Sequence, residues 1–163
     1  MIKPIDPNYG SHLPILIKAL SITDGMVLEF GTGIFSTTFL HWACCLDKRK
    51  LISYENGVSY YESYKDFNND YHQVVLVKDW DEIILPEHCS VALVDHNSTH
   101  RRKEEVRRLA NIADYIVIHD SNPEVDRHFR FSKVYPLFKY RKDFTYSTTN
   151  TSVLSNFKDL TNL

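Results

Sequence analysis

Glycine and proline are scarce in this chain of 163 residues, 5 and 6 in number, too few for a collagen-like or low-complexity polymer. No stretch approaches the ~18 consecutive apolar residues of a membrane span. The opening residues, MIKPIDPNYG, lack the apolar core of a secretory leader, so cytoplasmic residence without a membrane is expected. Three cysteines, Cys44, Cys45 and Cys89, are odd in number and two are adjacent. That suits neither a disulfide framework nor a zinc cluster of spaced pairs, and reduced, partly buried thiols follow. An excess of charge is missing too. Lys and Arg total 19 against 21 Asp and Glu, which leaves no overall pull toward nucleic acid.

Apolar residues are plentiful at 43%, with 10 Tyr and 9 Phe among them, enough for one sizeable core. A single domain, 1–163, fits this length. Residues 1–24 read as an N-terminal helical segment, with LPILIKAL as its helix and Pro14 in the first turn. Residues 25–120 read as a parallel βαβ core. MVLEF is a strand broken at once by Gly-Thr-Gly, and STTFLHWACCL is a helix with Phe39, Trp42, Ala43 and Leu46 at helical spacing. LISYE is a second strand, followed by a helix over 58–67 with aromatic residues along one face. QVVLV, VALVD and YIVIHD supply three more strands, the last two flanking a charged surface helix in THRRKEEVRRLANIA. Uninterrupted β-branched runs of this kind belong to sheets covered on both faces. Residues 121–163 read as a variable segment and a terminal hairpin, LFKYRKDFTY and TSVLSNF. The expected fold is α/β: a doubly wound, mostly parallel seven-stranded sheet, a C-terminal antiparallel hairpin and helices on both faces.

In such sheets ligands gather beyond the carboxyl ends of the strands. Gly31-Thr32-Gly33 follows the first strand there, where glycine permits a tight turn and close backbone approach to a ligand. Glu29 is a carboxylate inside an apolar strand, where a lone charge is costly, so it needs a partner. Glu55 ends the second strand roughly 20 residues past the turn, the place from which a carboxylate accepts from ribose hydroxyls. Asp79 and Trp80, after the third strand, offer an acceptor and a stacking face.

VLEFGTG, LISYEN, VKDW, VALVDH and YIVIHD, in this order and spacing, resemble the class I S-adenosylmethionine-dependent methyltransferases. The resemblance covers roughly residues 13–163. It implies S-adenosylmethionine as cofactor, held by Glu29, Gly31 and Gly33 at its methionine part, Glu55 at the ribose and Asp79 at the adenine. Thr32, Ser36, Thr37, Asn56, Trp80 and Asp95 belong to the same implied cofactor site. Phe35 stands where the family places a third glycine. A branched side chain at Gly31 is expected to occupy the donor's space.

Methyl transfer needs in-line placement, and a base only where the nucleophile must lose a proton. Asp95, His96, His119 and Asp120 are the catalytic candidates. Asp95-His96 and Asp120 with Asn122 also resemble the magnesium positions of catechol-type O-methyltransferases, but Ser121 intervenes and Ser98 or Thr99 replaces the lysine base. A divalent metal is compatible with these residues and is not predicted. Arg101, Arg102, Lys103, Arg107 and Arg108, interrupted by Glu104 and Glu105, read as a solvated helix face rather than a nucleic-acid patch. The expected acceptor is a small molecule, methylated at oxygen or nitrogen. It would be recognised by Tyr9, His12 and Leu13, by the loop after Asp95, and by residues 121–138 or a second subunit of a homo-oligomer. Two alternatives stand beside this: a non-catalytic interaction module of the same fold, and a nicotinamide-binding Rossmann protein.

Overall fold

The computed structural model describes residues 6–163. The first five residues of the expected segment 1–24 lie outside the described residues. A 3-10 turn at Pro7–Gly10 is capped by the Asp6 side chain, which accepts from the Asn8 amide. Helix α1, Leu13–Ser21, begins with Pro14 in its first turn, where the missing N–H removes no helical hydrogen bond.

Five parallel strands follow: β1 (Val27–Phe30), β2 (Leu51–Glu55), β3 (His72–Leu76), β4 (Cys89–Val94) and β5 (Ala113–His119). They are joined through helices α2 (Ser36–Leu46), α3 (Val58–Tyr64) and α4 (Arg102–Leu109). A short α5, Asp126–Phe129, leads to the antiparallel hairpin of β6 (Tyr140–Phe144) and β7 (Thr151–Ser155). The sheet order is β3-β2-β1-β4-β5-β7-β6, so the expected doubly wound architecture is present. β7 pairs antiparallel with β5, whereas a dinucleotide-binding sheet continues with a parallel strand there. That difference removes the nicotinamide alternative's architectural basis. Among the described residues no helix is long and apolar enough to cross a membrane.

Apolar side chains cover both sheet faces. Leu28, Phe30, Ala92, Val94, Ile116 and Ile118 pack with Val106 and Leu109 of α4 on one side. Val27, Val91, Leu93 and Val117 pack with α1 and α2 on the other. Every residue of β1 and β4 is buried, which explains their unbroken apolar runs.

The apolar stripe read from α2 faces inward only in part: Phe39 packs against the core, but Trp42 and Leu46 turn outward. They are 65% and 83% exposed, while Ser36, Thr37, Leu40, His41 and Cys44 are buried. The strands beneath carry polar groups, and α2 turns polar side chains to meet them: Thr37 donates to Glu29, and His41 bonds His72. Helix α3 is shorter than the expected 58–67, ends at Tyr64 and buries no side chain. All three thiols are free, Cys44 and Cys89 buried, and burial pushes both up to about 12.

Candidate functional site

The chain leaves β1, winds outward to β3 and returns as β4 on β1's other side, so the carboxyl ends of β1 and β4 part at the switch point. A cavity of about 460 Å³ opens there, within the usual size of small-molecule sites. Its floor is the loop of residues 31–36. Gly31 has φ 99°, and a Cβ on it would lie 2.5 Å from the His96 backbone nitrogen and Cα. Glycine is therefore demanded by the backbone leaving β4. A valine would collide with protein, not occupy a ligand's space, which corrects the expected reason for its effect. Gly33 differs, because a Cβ there would meet only the Ser36 hydroxyl, at 3.6 Å. The space above it is open to a ligand. Phe35, in place of the third glycine, packs its ring against Gly10, where even a methyl group would come within 2.9 Å. It thereby seats the N-terminal turn beside the loop.

Glu55 is 3% exposed and lines the cavity. Its Oε2 accepts from the Thr32 amide at 2.8 Å and the Thr32 hydroxyl at 3.0 Å, and its Oε1 accepts from the Gly57 amide at 2.6 Å. One acceptor position on Oε1 is left over. Glu29 has found the partners its burial requires, yet it does not reach the cavity. It accepts from Thr37 at 3.0 Å and from Ser53 at 2.5 Å, while Thr37 accepts from the Gly33 amide at 2.8 Å. Glu29 thus shapes the loop through Thr37. Burial pushes its carboxyl up to about 7, against the hydrogen bonds of Ser36, Ser53 and Thr37. Ser36 lines the cavity; Thr37 is fully buried beneath it. Asp79 is exposed and caps the next 3-10 turn through the Asp81 amide. Trp80 is buried against His96, ring centroids 4.2 Å apart, and neither Asp79 nor Trp80 lines the cavity. Asn56 is exposed and donates to the Ser98 hydroxyl.

At the ends of β4 and β5 the acidic and imidazole groups converge. Asp95 Oδ2 lies 3.1 Å from His119 Nδ1, and Asp95 Oδ1 lies 3.0 Å from Arg102. Burial alone would raise the Asp95 carboxyl; the hydrogen bond and charge of His119, with Arg102 and His12, outweigh it and hold the group below its ordinary value. Burial likewise opposes the charge of His119, but Asp95 and Asp120 prevail and raise it. Asp120, at φ 57°, pairs with Arg102 at 3.0 Å. His96 has no free nitrogen: Nδ1 accepts from the Ser98 amide, so Nε2 carries the hydrogen and donates to Glu105 at 3.2 Å. His12, 1% exposed, lines the same wall, its ring edge-on to His119 at 4.8 Å. Burial pushes it down to about 4, against the charge of Asp95. Tyr9 also lines the cavity, whereas Leu13 packs against the core under α1.

Arg102, Tyr60 and Tyr64, with Ile34 of the glycine loop, are cavity residues that the sequence did not point to. Arg102 belongs to the basic run taken as solvated, yet its side chain is 5% exposed and clamps the ends of β4 and β5. Tyr60 and Tyr64 of α3 line the cavity rather than closing a core. Their spacing of four from each other, on the helix that follows Glu55, was the available signal.

No family model and no curated protein matches the sequence. Among solved structures, the cofactor-bound Rv0187 from MTB superposes with a TM-score of 0.67 over 97% of this chain and 84% of that one, at 16% identity. An O-methyltransferase from Bacillus cereus in complex with SAH gives 0.64 over 95% and 84%, at 14% identity. The N-terminal domain of human METTL16 in complex with SAH gives 0.61 over 96% and 73%, at 12% identity. The fold is that of the class I S-adenosylmethionine-dependent methyltransferases. At such identities the likeness is one of architecture.

Proposed function

We propose that this chain binds S-adenosylmethionine at the switch-point cavity and transfers its methyl group to oxygen or nitrogen of a small molecule. The observation that carries the reading is the joining of an open glycine cradle at Gly33 to the Glu55 carboxylate across one cavity of ligand size. The residues fit the cofactor. A ribose hydroxyl would take the remaining position on Glu55 Oε1, and a second would replace the Thr32 hydroxyl on Oε2. Tyr60 and Tyr64, rather than Trp80, are the aromatic rings offered to the cavity. When bound, the cofactor supplies an electrophilic methyl on a sulfonium.

The acceptor would lie against His12, Asp95 and His119, the polar wall of the same cavity. There these residues orient the nucleophile and shield it from water. His96 and Asp120 position that wall through Glu105 and Arg102. A small acceptor is favoured because the basic run on α4 is spent internally. Arg101 pairs with Asp81 and Glu105, Arg107 with Glu104, and Arg108 donates to the Trp80 and Ile83 carbonyls.

The interaction-module alternative is favoured by one observation: three of the four acceptor positions on Glu55 are already taken by internal donors. Calorimetry with S-adenosylmethionine and its demethylated product separates the two. Binding that weakens ~10-fold or more in Glu55→Ala supports the enzyme, as expected for lost hydrogen bonds to a charged acceptor. Folded protein that binds neither compound refutes it and leaves the module.

A further inference from the structure

We propose that His12, Asp95 and His119 form a binding site for a divalent transition-metal ion of the zinc class. The argument begins with hydrogen positions on His119. Its Nε2 lies 3.2 Å from the Asn8 carbonyl oxygen and 3.0 Å from the Ser11 hydroxyl. The carbonyl only accepts, and Ser11 gives its own hydrogen to the Thr149 carbonyl at 3.1 Å. Both neighbours of Nε2 are therefore acceptors, and Nε2 carries the ring hydrogen. With Nε2 carrying one hydrogen, Nδ1 can face Asp95 Oδ2 at 3.1 Å only across a cation, which is either a second ring proton or a metal ion in its place. Two electron-rich atoms facing each other at that distance call for a cation between them.

His12 supplies a second and independent observation. Its ring is buried at 1% exposure, lines the cavity, and has no hydrogen-bond partner on either nitrogen among the described residues. Buried polar atoms without partners are uncommon, and an ion is one of the partners that would satisfy both the ring and its neighbours here. One donor atom from each of His12, Asp95 and His119 lies within 4.8 Å of the others. The edge of a tetrahedral site with ~2.0 Å bonds is roughly 3.3 Å, so the widest pair closes by about 1.5 Å on binding. His12 stands at the N-cap of α1, outside the sheet, so a shift of its side chain would leave the strand ends in place.

Two of the three ligands, His119 and Asp95, have the surroundings that metal ligands require. A ligating imidazole donates its other N–H to a carbonyl or carboxylate, which fixes the tautomer, and a ligating carboxylate is itself hydrogen-bonded. His119 has the Asn8 carbonyl, and Asp95 Oδ1 has Arg102. Two imidazoles and one carboxylate suit zinc and its neighbours. Three protein ligands leave a position open to the cavity, which would take an oxygen, nitrogen or sulfur of a bound small molecule. This donor set differs from the one suggested by sequence. Asp120 is held by Arg102, and Asn122 is spent on the Thr148 carbonyl and the Asn150 amide.

The test is titration of cobalt(II) into the chelator-treated full chain, followed by calorimetry and visible absorbance. One ion per chain is expected, with ligand-field bands of nitrogen and oxygen donors and without sulfur charge-transfer bands. His12→Ala should weaken binding by roughly 100-fold, at or beyond the loss caused by outer-support mutations. Because neither His12 nitrogen has a partner among the described residues, that variant loses no hydrogen bond seen there; a thermal melt without metal verifies its fold, and Asp95→Asn provides a second variant. Folded wild-type chain that takes up no cobalt overturns the proposal, the cation between His119 and Asp95 then being a proton. Unchanged affinity in both variants, or sulfur bands pointing to Cys44 or Cys45, overturns it equally. Binding of S-adenosylmethionine is measured separately, so failure of the methyl-transfer reading and failure of this site are told apart.

Discussion

Glu29 sits at one end of a buried relay of hydrogen bonds. His41 and His72 meet through their Nδ1 atoms at 3.0 Å, His72 Nε2 meets the Ser53 hydroxyl at 2.9 Å, and Ser53 donates to Glu29. One assignment of hydrogens satisfies them all, running from His41 Nδ1–H to the carboxylate. With its carboxyl raised from 4.5 to about 7 by burial, the folded protein holds this proton more tightly than the unfolded chain does. The associated stability is fully present below pH 4.5 and is lost as pH rises through about 7. The difference amounts to about 3 kcal/mol by linkage. His12 and His72, each lowered to about 4 by burial, act in the opposite sense, losing stability as pH falls from 6.5 through 4. Glu29→Gln keeps the histidines and removes the acid. Urea melts at pH 5 and pH 8 should therefore show wild type losing about 3 kcal/mol relative to Glu29→Gln. Parallel behaviour of the two proteins would contradict a raised Glu29.

Helix α2 shows how an element can be recognised and still be turned the wrong way. Its span, Ser36–Leu46, follows from the residues directly, but its inward face does not. Periodicity reports which side chains share a face, whereas the polar groups of Glu29, Ser53 and His72 decide which face is buried. Two leucines on this helix make the distinction measurable. Leu40 is fully buried and Leu46 is 83% exposed. Leu40→Ala should cost about 2–5 kcal/mol in chemical denaturation, and Leu46→Ala no more than about 0.5 kcal/mol. Equal costs would mean that the stripe of Trp42 and Leu46 packs inward after all. Helix α4 carries the related lesson that charge does not imply solvent. Val106, Leu109 and Ala110 are buried as their spacing predicts, but Arg102 and Glu105 are buried with them.

In the molecule as a whole, burial is concentrated at the centre of the sheet. β4 and β7 are buried throughout, while β6 alternates between intermediate and exposed residues. Amide hydrogen exchange should be slowest in β1, β4 and β5 and fastest in the edge strands β3 and β6. Protection of β6 equal to that of β4 would contradict this distribution. The turn before α1 is strapped across the strand ends by the hairpin loop: Tyr146 donates to the Ser11 carbonyl at 2.6 Å, and Ser147 and Thr148 donate to the Asn8 side chain. That strap brings His12 to Asp95 and His119. Local chain chemistry was sufficient for the alternating elements, the terminal hairpin, the glycine turn after β1 and the placing of Glu55 and Asp95 at strand ends, because apolar period and turn residues act over a few positions. The same information could not show that Asp79 and Trp80 miss the cavity, that Arg102 closes it, or that His12 faces a histidine more than a hundred positions away. Those outcomes depend on which polar groups meet once distant strands and loops are packed, since each buried charge or N–H must find its partner in three dimensions.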